Sequence, residues 1–311
     1  MSQALPLSGA LAIMSNVRTT TALRRMARRV PLPLRQLPWR TGWLLRNQAF
    51  RSSPFWTSAR LVSWTTRELF QKELEFTTRE GRRIRTMRNN VSGLCHYVSG
   101  HYESELIDFM KKRLCCGSTL IDVGANVGLY SVEASSTIGP DGRILALEAH
   151  PYTYKFLEEN VKRHCGNRVT ALNVAVGELD GQARFTYETR NPGSSHIATE
   201  CDSTSISVPM QRLDNIVEEQ EIERVHYLKL DVEGFEPSVL RGATRTLERN
   251  ESLVLQIEIN RHLLGRFGFS PDDVAAPLIE RGFLPYELAA GALREIPSAE
   301  LAFGDIIWMR K

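Results

Sequence analysis

The segment Leu120-Ile-Asp-Val-Gly-Ala-Asn-Val-Gly128 is the most informative part of this sequence for the fold. It begins as a short apolar run typical of a buried strand, and its glycines then predict a sharp turn into a helix that starts near Gly128. Glycines let the backbone of such a turn approach a ligand closely. Free N–H groups at the helix start favour an anionic group. Asp122, at the end of the strand, can order the turn or accept a hydrogen bond from an amino group of the ligand.

Three interpretations of this turn are open. A dinucleotide site requires G-x-G-x-x-G, but Asn126 stands at the middle glycine, so a pyrophosphate would meet a side chain where it needs bare backbone. A methyl donor with an adenosine end and an amino-acid end suits the remaining G-x-x-x-G pattern, and an ordinary turn without a ligand is the third interpretation. We favour the methyl donor because Glu148 follows Gly128 by 20 residues. A carboxylate at the end of that next strand can accept both hydroxyls of a ribose.

Strand and helix patterns alternate on both sides of this turn. Apolar runs predict strands at 119–123, 143–148, 169–176, 227–231, 253–259 and 305–309. Amphipathic segments predict helices at 103–114, 128–137, 152–163, 237–248 and 271–281. This alternation indicates an α/β fold, a mainly parallel sheet with helices on both faces. Residues 181–210 depart from it and predict a small β insert, placed to serve as a lid or as a wall of the acceptor site.

The charge of the 311-residue chain is distributed unevenly. The net charge is +3, yet residues 1–67 contain eleven arginines and no lysine or acidic residue, which leaves 28 basic and 36 acidic residues for the rest. We expect residues 1–70 to form a basic arm that is partly helical or disordered. Residues 71–311 should form the main domain, with a β and helical lead-in at 71–117. The mildly acidic main domain argues against a nucleic-acid partner.

The basic arm has three interpretations. It can be a lead-in without its own function, a contact with a membrane surface, or an organellar import segment, since it is rich in Arg, Ser and Thr. No apolar run approaches the ~20 residues that span a bilayer. We expect a cytoplasmic protein, with peripheral membrane contact through the arm as an open alternative and organellar import as a weaker one.

Polar residues also follow the later strands. Asp231 and Glu233 end the strand at 227–231, where they can hold an acceptor hydroxyl or share a cation. His196, in the loop of the insert, is a further candidate base. Asn173 and Ala175, at the end of the third predicted strand, can frame an adenine ring. We predict no metal site, because the sequence has no C-x-x-C pair and no other dedicated ligand set.

Residues 102–310 resemble the FkbM-type methyltransferases. The matching positions are 121–131, Glu148 with Pro151, Asn160, 173–177, 191–195, 208–214, 229–236, 239–243 and Glu258. The resemblance implies a Rossmann-like, seven-stranded class I methyltransferase sheet and S-adenosylmethionine as methyl donor. It also implies O-methylation of a hydroxyl on a sugar, a glycolipid or a natural product. Ala149-His150 departs from the family pattern, in which proline often follows the glutamate directly.

The resulting site hypothesis has a donor half and a catalytic half. We predict donor contacts from Asp122, Gly124, Ala125, Asn126, Gly128, Glu148, Asn173, Ala175 and Asp231, and the resemblance implies Glu103 as a further donor contact, since Tyr102-Glu103 is similar to a family motif. The acceptor hydroxyl attacks the methyl carbon in line, and Asp231 is the first candidate to take its proton, followed by His196 and Glu233. A nicotinamide-dependent oxidoreductase and a non-catalytic binding module of the same fold remain the alternatives. The sequence predicts a small-molecule or glycan acceptor and no particular oligomeric state.

Overall fold

The computed structural model describes residues 31–199, 202 and 204–311. These residues form two compact units, of which the first contains 31–102 and 189–192 and the second contains 103–188 and 193–311. Residues 1–30 of the predicted basic arm and Cys201 of the predicted insert lie outside the described residues.

The first unit is mainly helical. Its elements are α1 (Leu32–Arg35), α2 (Leu37–Arg46), α3 (Gln48–Ser52), α4 (Pro54–Phe70), the antiparallel pair β1 (Glu73–Thr77) and β2 (Arg83–Met87), and α5 (Val91–Ser99). Prolines stand in the first turns of α1, α2 and α4, where a missing N–H costs no helical hydrogen bond. No helix in the described part of the chain is both long enough and apolar enough to cross a bilayer.

Buried polar contacts tie the first unit together. Arg40 and Glu68 form an ion pair of 2.6 Å in which both side chains are buried. Glu68 also accepts the N–H of Asn89 at 2.9 Å, just after β2. The ring of Trp64 on α4 packs 5.1 Å from that of Tyr97 on α5. These contacts join residues 71–102 to the helices before them, so the predicted lead-in at 71–117 is divided between the two units.

The second unit contains one large sheet and one small sheet. The strands are β3 (Thr119–Val123), β4 (Arg143–Leu147), β5 (Val169–Leu172), β6 (Ala175–Val176), β7 (Gly181–Thr186), β8 (His196–Ile197), β9 (Ile206–Gln211), β10 (Tyr227–Leu230), β11 (Val254–Asn260), β12 (Phe283–Ala289), β13 (Ala292–Glu295) and β14 (Phe303–Arg310). The helices are α6 (Ser104–Arg113), α7 (Leu129–Ala134), α8 (Pro151–His164), α9 (Leu213–Glu219), α10 (Glu236–Arg241), α11 (Thr244–Arg249), α12 (Arg261–Gly265) and α13 (Pro271–Glu280).

The large sheet confirms the predicted α/β class. Its strand order is β13-β12-β14-β11-β10-β3-β4-β5. Strands β5, β4, β3, β10 and β11 run parallel, and β14 is antiparallel to both of its neighbours. The described sheet therefore has eight strands where seven were expected, because the hairpin of β12 and β13 adds a short edge strand.

Two predicted elements are divided in the structure. The strand predicted at 169–176 breaks into β5, which pairs with β4, and β6, which pairs with β9 of the insert. The helix predicted at 237–248 breaks into α10 and α11 around Gly242, where an added Cβ would lie 2.0 Å from the carbonyl oxygen of Gly177. Both divisions depend on contacts with the segment 173–177, which links the large sheet to the insert sheet β6-β9-β7-β8.

The core of the second unit lies around the central strands. All five residues of β3 and all four of β10 are buried, as expected for strands covered on both faces. Their apolar side chains pack with those of β11 and of the helices α10 and α13. This rigid centre fixes the carboxyl ends of β3, β4 and β10, where the predicted site residues stand.

Candidate active site

The turn after β3 requires its two glycines for different reasons. Gly124 has a φ of +78°, and a Cβ at this position would lie 1.9 Å from the carbonyl oxygen of Asp231. Gly128 has a φ of +85°, and a Cβ there would lie 2.7 Å from the side chain of Leu157 on α8. Gly124 therefore lets the loops after β3 and β10 meet, and Gly128 lets α7 pack on α8. Asn126 takes the left-handed conformation that asparagine tolerates, with a φ of +50°.

The N–H groups of this turn bind within the protein. Those of Gly124 and Ala125 both donate to the carbonyl oxygen of Leu147 at 2.9 Å. The N–H of Asn126 donates to Glu148 Oε2 at 3.0 Å. The turn is consequently held against the end of β4.

Two carboxylates flank the turn at the ends of neighbouring strands. The Ser131 hydroxyl donates to Asp122 Oδ2 at 2.8 Å, whereas Asp122 Oδ1 is buried without a hydrogen-bond partner among the described residues. Glu148 Oε1 accepts the N–H of His150 at 2.9 Å. Burial raises the pKa of both carboxyls, that of Glu148 to about 7. A buried acceptor atom without a partner is uncommon in proteins, so Asp122 Oδ1 is available to a donor group of a ligand.

Asn173 and His150 shape the loop beside Glu148. The amide of Asn173 donates to the carbonyl oxygens of Glu148 and Ala149 at 2.8 and 2.9 Å. His150 Nδ1 accepts the N–H of Tyr152 and thereby caps α8. The His150 ring stacks on that of Tyr187 with centroids 4.3 Å apart. These contacts fix the position of the Glu148 carboxylate, so Asn173 acts on the loop through its side-chain amide.

A buried lysine pairs with Asp231 at the end of β10. Lys229 Nζ lies 2.9 Å from Asp231 Oδ2 and 4.8 Å from the ring centroid of Tyr130. Burial alone would raise the pKa of Asp231, but the ammonium of Lys229 outweighs it and holds that pKa below the ordinary value. Burial alone would lower the pKa of Lys229, but the charges of Asp231, Asp122 and Glu103 outweigh it and raise that pKa above the ordinary value. The ammonium of Lys229 therefore interacts electrostatically with three carboxylates, those of Asp231, Asp122 and Glu103.

Three carboxylates meet beside this pair. Oxygen atoms of Asp231, Glu233 and Glu258 all lie within 4.8 Å of one another. Burial and the charge of Asp231 raise the pKa of Glu233 to about 8 and that of Glu258 well above its ordinary value. Glu258 shares a hydrogen bond with Asp231, and Glu233 shares one with the side chain of Ser194. Such spacing suits a shared proton, and it also suits a divalent cation. The absence of a metal site stays a prediction.

The remaining predicted residues lie in different surroundings. Glu103 precedes α6 with a φ of +54°, and burial together with the charge of Glu103 raises the pKa of Tyr130. Ala175 is buried in β6 of the insert sheet. His196, on β8, has Nδ1 at 3.0 Å from the carbonyl oxygen of Ser194 and Nε2 at 3.6 Å from Asp202. The ring of His196 is therefore occupied in holding the insert, whereas Asp122, Glu148, Asp231 and Glu233 influence one another's charge.

The sequence hypothesis missed a polar network beneath these carboxylates. Gln256 accepts the hydroxyl of Tyr227 at 2.9 Å and donates to Tyr130 and Asp305 at 3.0 and 2.9 Å. Lys229 was also absent from the predicted site. The available signal was a polar residue inside an apolar strand, since an unpaired buried polar group is costly and must find partners.

One family model and several known proteins are similar to this chain. The family model described as methyltransferase FkbM domain matches residues 122–285, which is just over half of the chain. Among solved structures, methyltransferase FkbM from Methylobacillus flagellatus KT has 15% identity and a TM-score of 0.42 over 62% of this chain and 44% of that chain. An O-methyltransferase from Bacillus cereus has 11% identity and a TM-score of 0.40 over 67% of this chain and 80% of that chain.

Two curated relatives are also similar in sequence. Methyltransferase 1 of Beauveria bassiana is 29% identical over 146 residues, which are 40% of this chain and 58% of the relative. The hexuronic acid methyltransferase AglP of Haloferax volcanii is 27% identical over 179 residues, or 57% of this chain and 68% of the relative. The chain thus spans less than two thirds of the first of these proteins. On the match over residues 122–285, the chain belongs to the FkbM methyltransferase domain family.

Proposed function

We propose that this methyltransferase uses S-adenosylmethionine to methylate a hydroxyl of a sugar, a glycolipid or another natural product. The main support for donor binding is Asp122 Oδ1, which is buried without a hydrogen-bond partner among the described residues. It lies next to the turn that Glu148 holds in place. Asp122 would accept a hydrogen bond from the amino group of S-adenosylmethionine. Glu148 would accept hydrogen bonds from the ribose hydroxyls, through the lone pairs that are not used by its backbone N–H contacts. When bound, S-adenosylmethionine supplies an electrophilic methyl group on a sulfonium sulfur.

Glu233 is the candidate base that the charges favour. A general base works best with a pKa near the operating pH, and the pKa of Glu233 is raised to about 8. Asp231 is a weaker base, since Lys229 lowers its pKa. We therefore assign the acceptor's proton to the Glu233 carboxylate and the orientation of the acceptor hydroxyl to Asp231. Glu258, whose pKa lies well above its ordinary value, keeps its proton and donates a hydrogen bond to the Asp231 carboxylate.

A glycan or sugar-like acceptor is supported by two observations. The name of the relative AglP of Haloferax volcanii describes a hexuronic acid methyltransferase. The insert contacts the catalytic half through the hydrogen bond between Ser194 and Glu233. Since the insert is polar in sequence, with serines at 194, 195 and 207, it would offer hydrogen bonds to a hydroxylated acceptor.

Calorimetry with the full-length protein tests the donor half. We expect S-adenosylmethionine to bind and NAD⁺ not to bind. Glu148→Gln should weaken donor binding at least tenfold, because an amide loses acceptor capacity toward the ribose and cannot hold two backbone N–H groups equally. Glu280→Gln, on an exposed position of α13, is the matched control and should bind as wild type. NAD⁺ binding without S-adenosylmethionine binding would reject the proposal.

Transfer of a labelled methyl group to pooled hexuronic acids and other hydroxylated sugars tests the acceptor half. With an acceptor in hand, Glu233→Gln should lower kcat by roughly 10²–10⁴ while donor affinity is kept, as is typical for the loss of a general base. Full turnover of Glu233→Gln would reject the assignment of the base. Methylation confined to an amine or a carbon atom would reject the hydroxyl acceptor.

A further inference from the structure

Helix α4 carries apolar side chains on two opposite faces. Its buried side chains face the core of the first unit and are Thr57, Leu61, Trp64, Thr65 and Glu68. Phe55, Ala59, Val62 and Phe70 follow one another at spacings that place them within roughly 80° around the helix axis, on the side opposite to Trp64. We call these four residues the outer stripe.

The outer stripe is solvent-exposed. Phe55 is 74% exposed, Val62 is 66% exposed and Phe70 is 84% exposed, and the neighbouring Trp56 is 67% exposed. Single exposed apolar residues are ordinary on protein surfaces, but several on one helix face mark a surface that contacts a partner or a membrane. The outer stripe therefore has the features of a docking surface.

Basic residues lie on one flank of the outer stripe and on the helices that precede α4. Arg60 is exposed, and Arg60 and Arg67 lie on the flank of α4 that carries Trp56. Arg46 and Arg51 are exposed on the preceding helices. The first acidic residue of the chain is Glu68, which is buried against Arg40. Exposed charges on α2, α3 and α4 are thus positive only.

We propose that the outer stripe of α4 binds the surface of an anionic lipid bilayer. Phe55, Val62 and Phe70 would enter the boundary between headgroups and acyl chains, and Trp56 would lie at headgroup level. Arg60 and Arg51 would bind lipid phosphates. The helix would lie in the plane of the membrane surface, and this binding does not depend on the proposed methyl transfer.

Charge complementarity selects the bilayer among the possible occupants. A dimer formed through the same face of a second copy would bring arginines against arginines. Residues 1–30 contain five arginines and no acidic residue. This segment is therefore also positively charged and does not complement the arginines of α4. A surface that combines exposed aromatic residues with positive charge complements a partner that is both anionic and apolar beneath its surface, which describes a bilayer.

Sedimentation of the full-length protein with vesicles tests the proposal. We expect binding to vesicles of phosphatidylcholine with phosphatidylglycerol, weaker binding to phosphatidylcholine alone, and release by salt. Arg51→Gln with Arg60→Gln should weaken binding about 25-fold, because each basic residue near an anionic surface contributes about 1 kcal/mol.

A stripe variant, Phe55→Ala with Val62→Ala and Phe70→Ala, separates insertion from simple charge attraction. It should lose at least tenfold in binding and keep its circular dichroism spectrum, since these side chains are exposed. Leu179→Ala with Ile279→Ala, at exposed apolar positions of the second unit, is the matched control and should bind as wild type. Equal binding of the stripe variant and wild type would overturn the proposal, as would a wild-type dimer that the stripe variant dissociates.

Discussion

Replacing Lys229 by Met tests whether one buried cation organises the carboxylates of the site. The substitution keeps an unbranched apolar stem and removes the ammonium that lies 2.9 Å from Asp231. Asp231 would then face Glu233 and Glu258, whose oxygens lie within 4.8 Å, without a compensating charge. We expect a loss of stability and a rise in the pKa of Asp231.

The size of the loss follows from burial. Breaking a fully buried ion pair costs ~3–5 kcal/mol. The Lys229 side chain is 5% exposed but that of Asp231 is 35% exposed, so water offsets part of the cost and we expect ~2–3 kcal/mol. For a domain of about 200 residues this corresponds to a fall in Tm of roughly 4–12 °C.

The effect has a pH dependence of defined sign. The folded-state pKa of Asp231 is lowered from 3.8, so its pairing with Lys229 stabilises the protein above that pH and is lost as the pH falls through the folded-state pKa. Lys229→Met should therefore lose most stability near neutral pH and approach wild type under acid conditions.

Urea denaturation with a double-mutant cycle measures this energy. Lys229→Met and Asp231→Asn should each destabilise the protein, and the double variant should lose less than the sum, with a coupling of ~2 kcal/mol. Lys311→Met, at an exposed lysine, is the matched control. Equal stability of Lys229→Met and wild type at pH 7, or strictly additive effects, would show that Lys229 and Asp231 do not stabilise each other.

Three further predictions concern other residues. Burial lowers the pKa of His96 to about 4, so stability is present above pH 6.5 and falls by up to about 3 kcal/mol as the pH drops toward 4; His96→Phe should flatten that slope in urea titrations at several pH values. The rate of methyl transfer should rise with pH through a midpoint near 8 set by Glu233, and a profile without that limb in wild type would contradict the assignment of the base. Gly124→Ala should lose at least ~3 kcal/mol of stability or of donor-binding free energy, because its Cβ would lie 1.9 Å from a carbonyl oxygen. Thermal melts measure the stability, and Gly265→Ala, which has open space around it, is the control that should melt as wild type does.

The central fold could be predicted because its information is local. Strands β3, β10 and β11 are buried on both faces, so each is an apolar run that can be recognised without knowledge of its partners. The break between β5 and β6 could not be predicted in the same way. It depends on Asn173 binding the loop after β4 and on the pairing of β6 with a strand more than thirty residues later.

The donor-binding residues and the catalytic residues also differ in how far the sequence alone could predict them. Asp122 and Glu148 could be predicted from position, since both stand at the carboxyl ends of adjacent strands, next to a turn that the glycines reveal. The roles of the carboxylates around Asp231 could not be predicted, because they depend on the ion pair between Asp231 and the buried Lys229. His196 was a plausible base in sequence, and only its contacts with Ser194 and Asp202 reveal that its ring is engaged within the insert.

The arrangement of Lys229, Asp231 and Glu233 explains how neighbouring carboxyls can differ in chemistry. Lys229 favours the ionised form of Asp231, and the resulting negative charge disfavours ionisation of Glu233. Environments that separate the pKa values of adjacent acids in this way are typical of acid–base sites. Lys229 therefore influences the proposed base indirectly, because it keeps Asp231 ionised and the charge of Asp231 raises the pKa of Glu233.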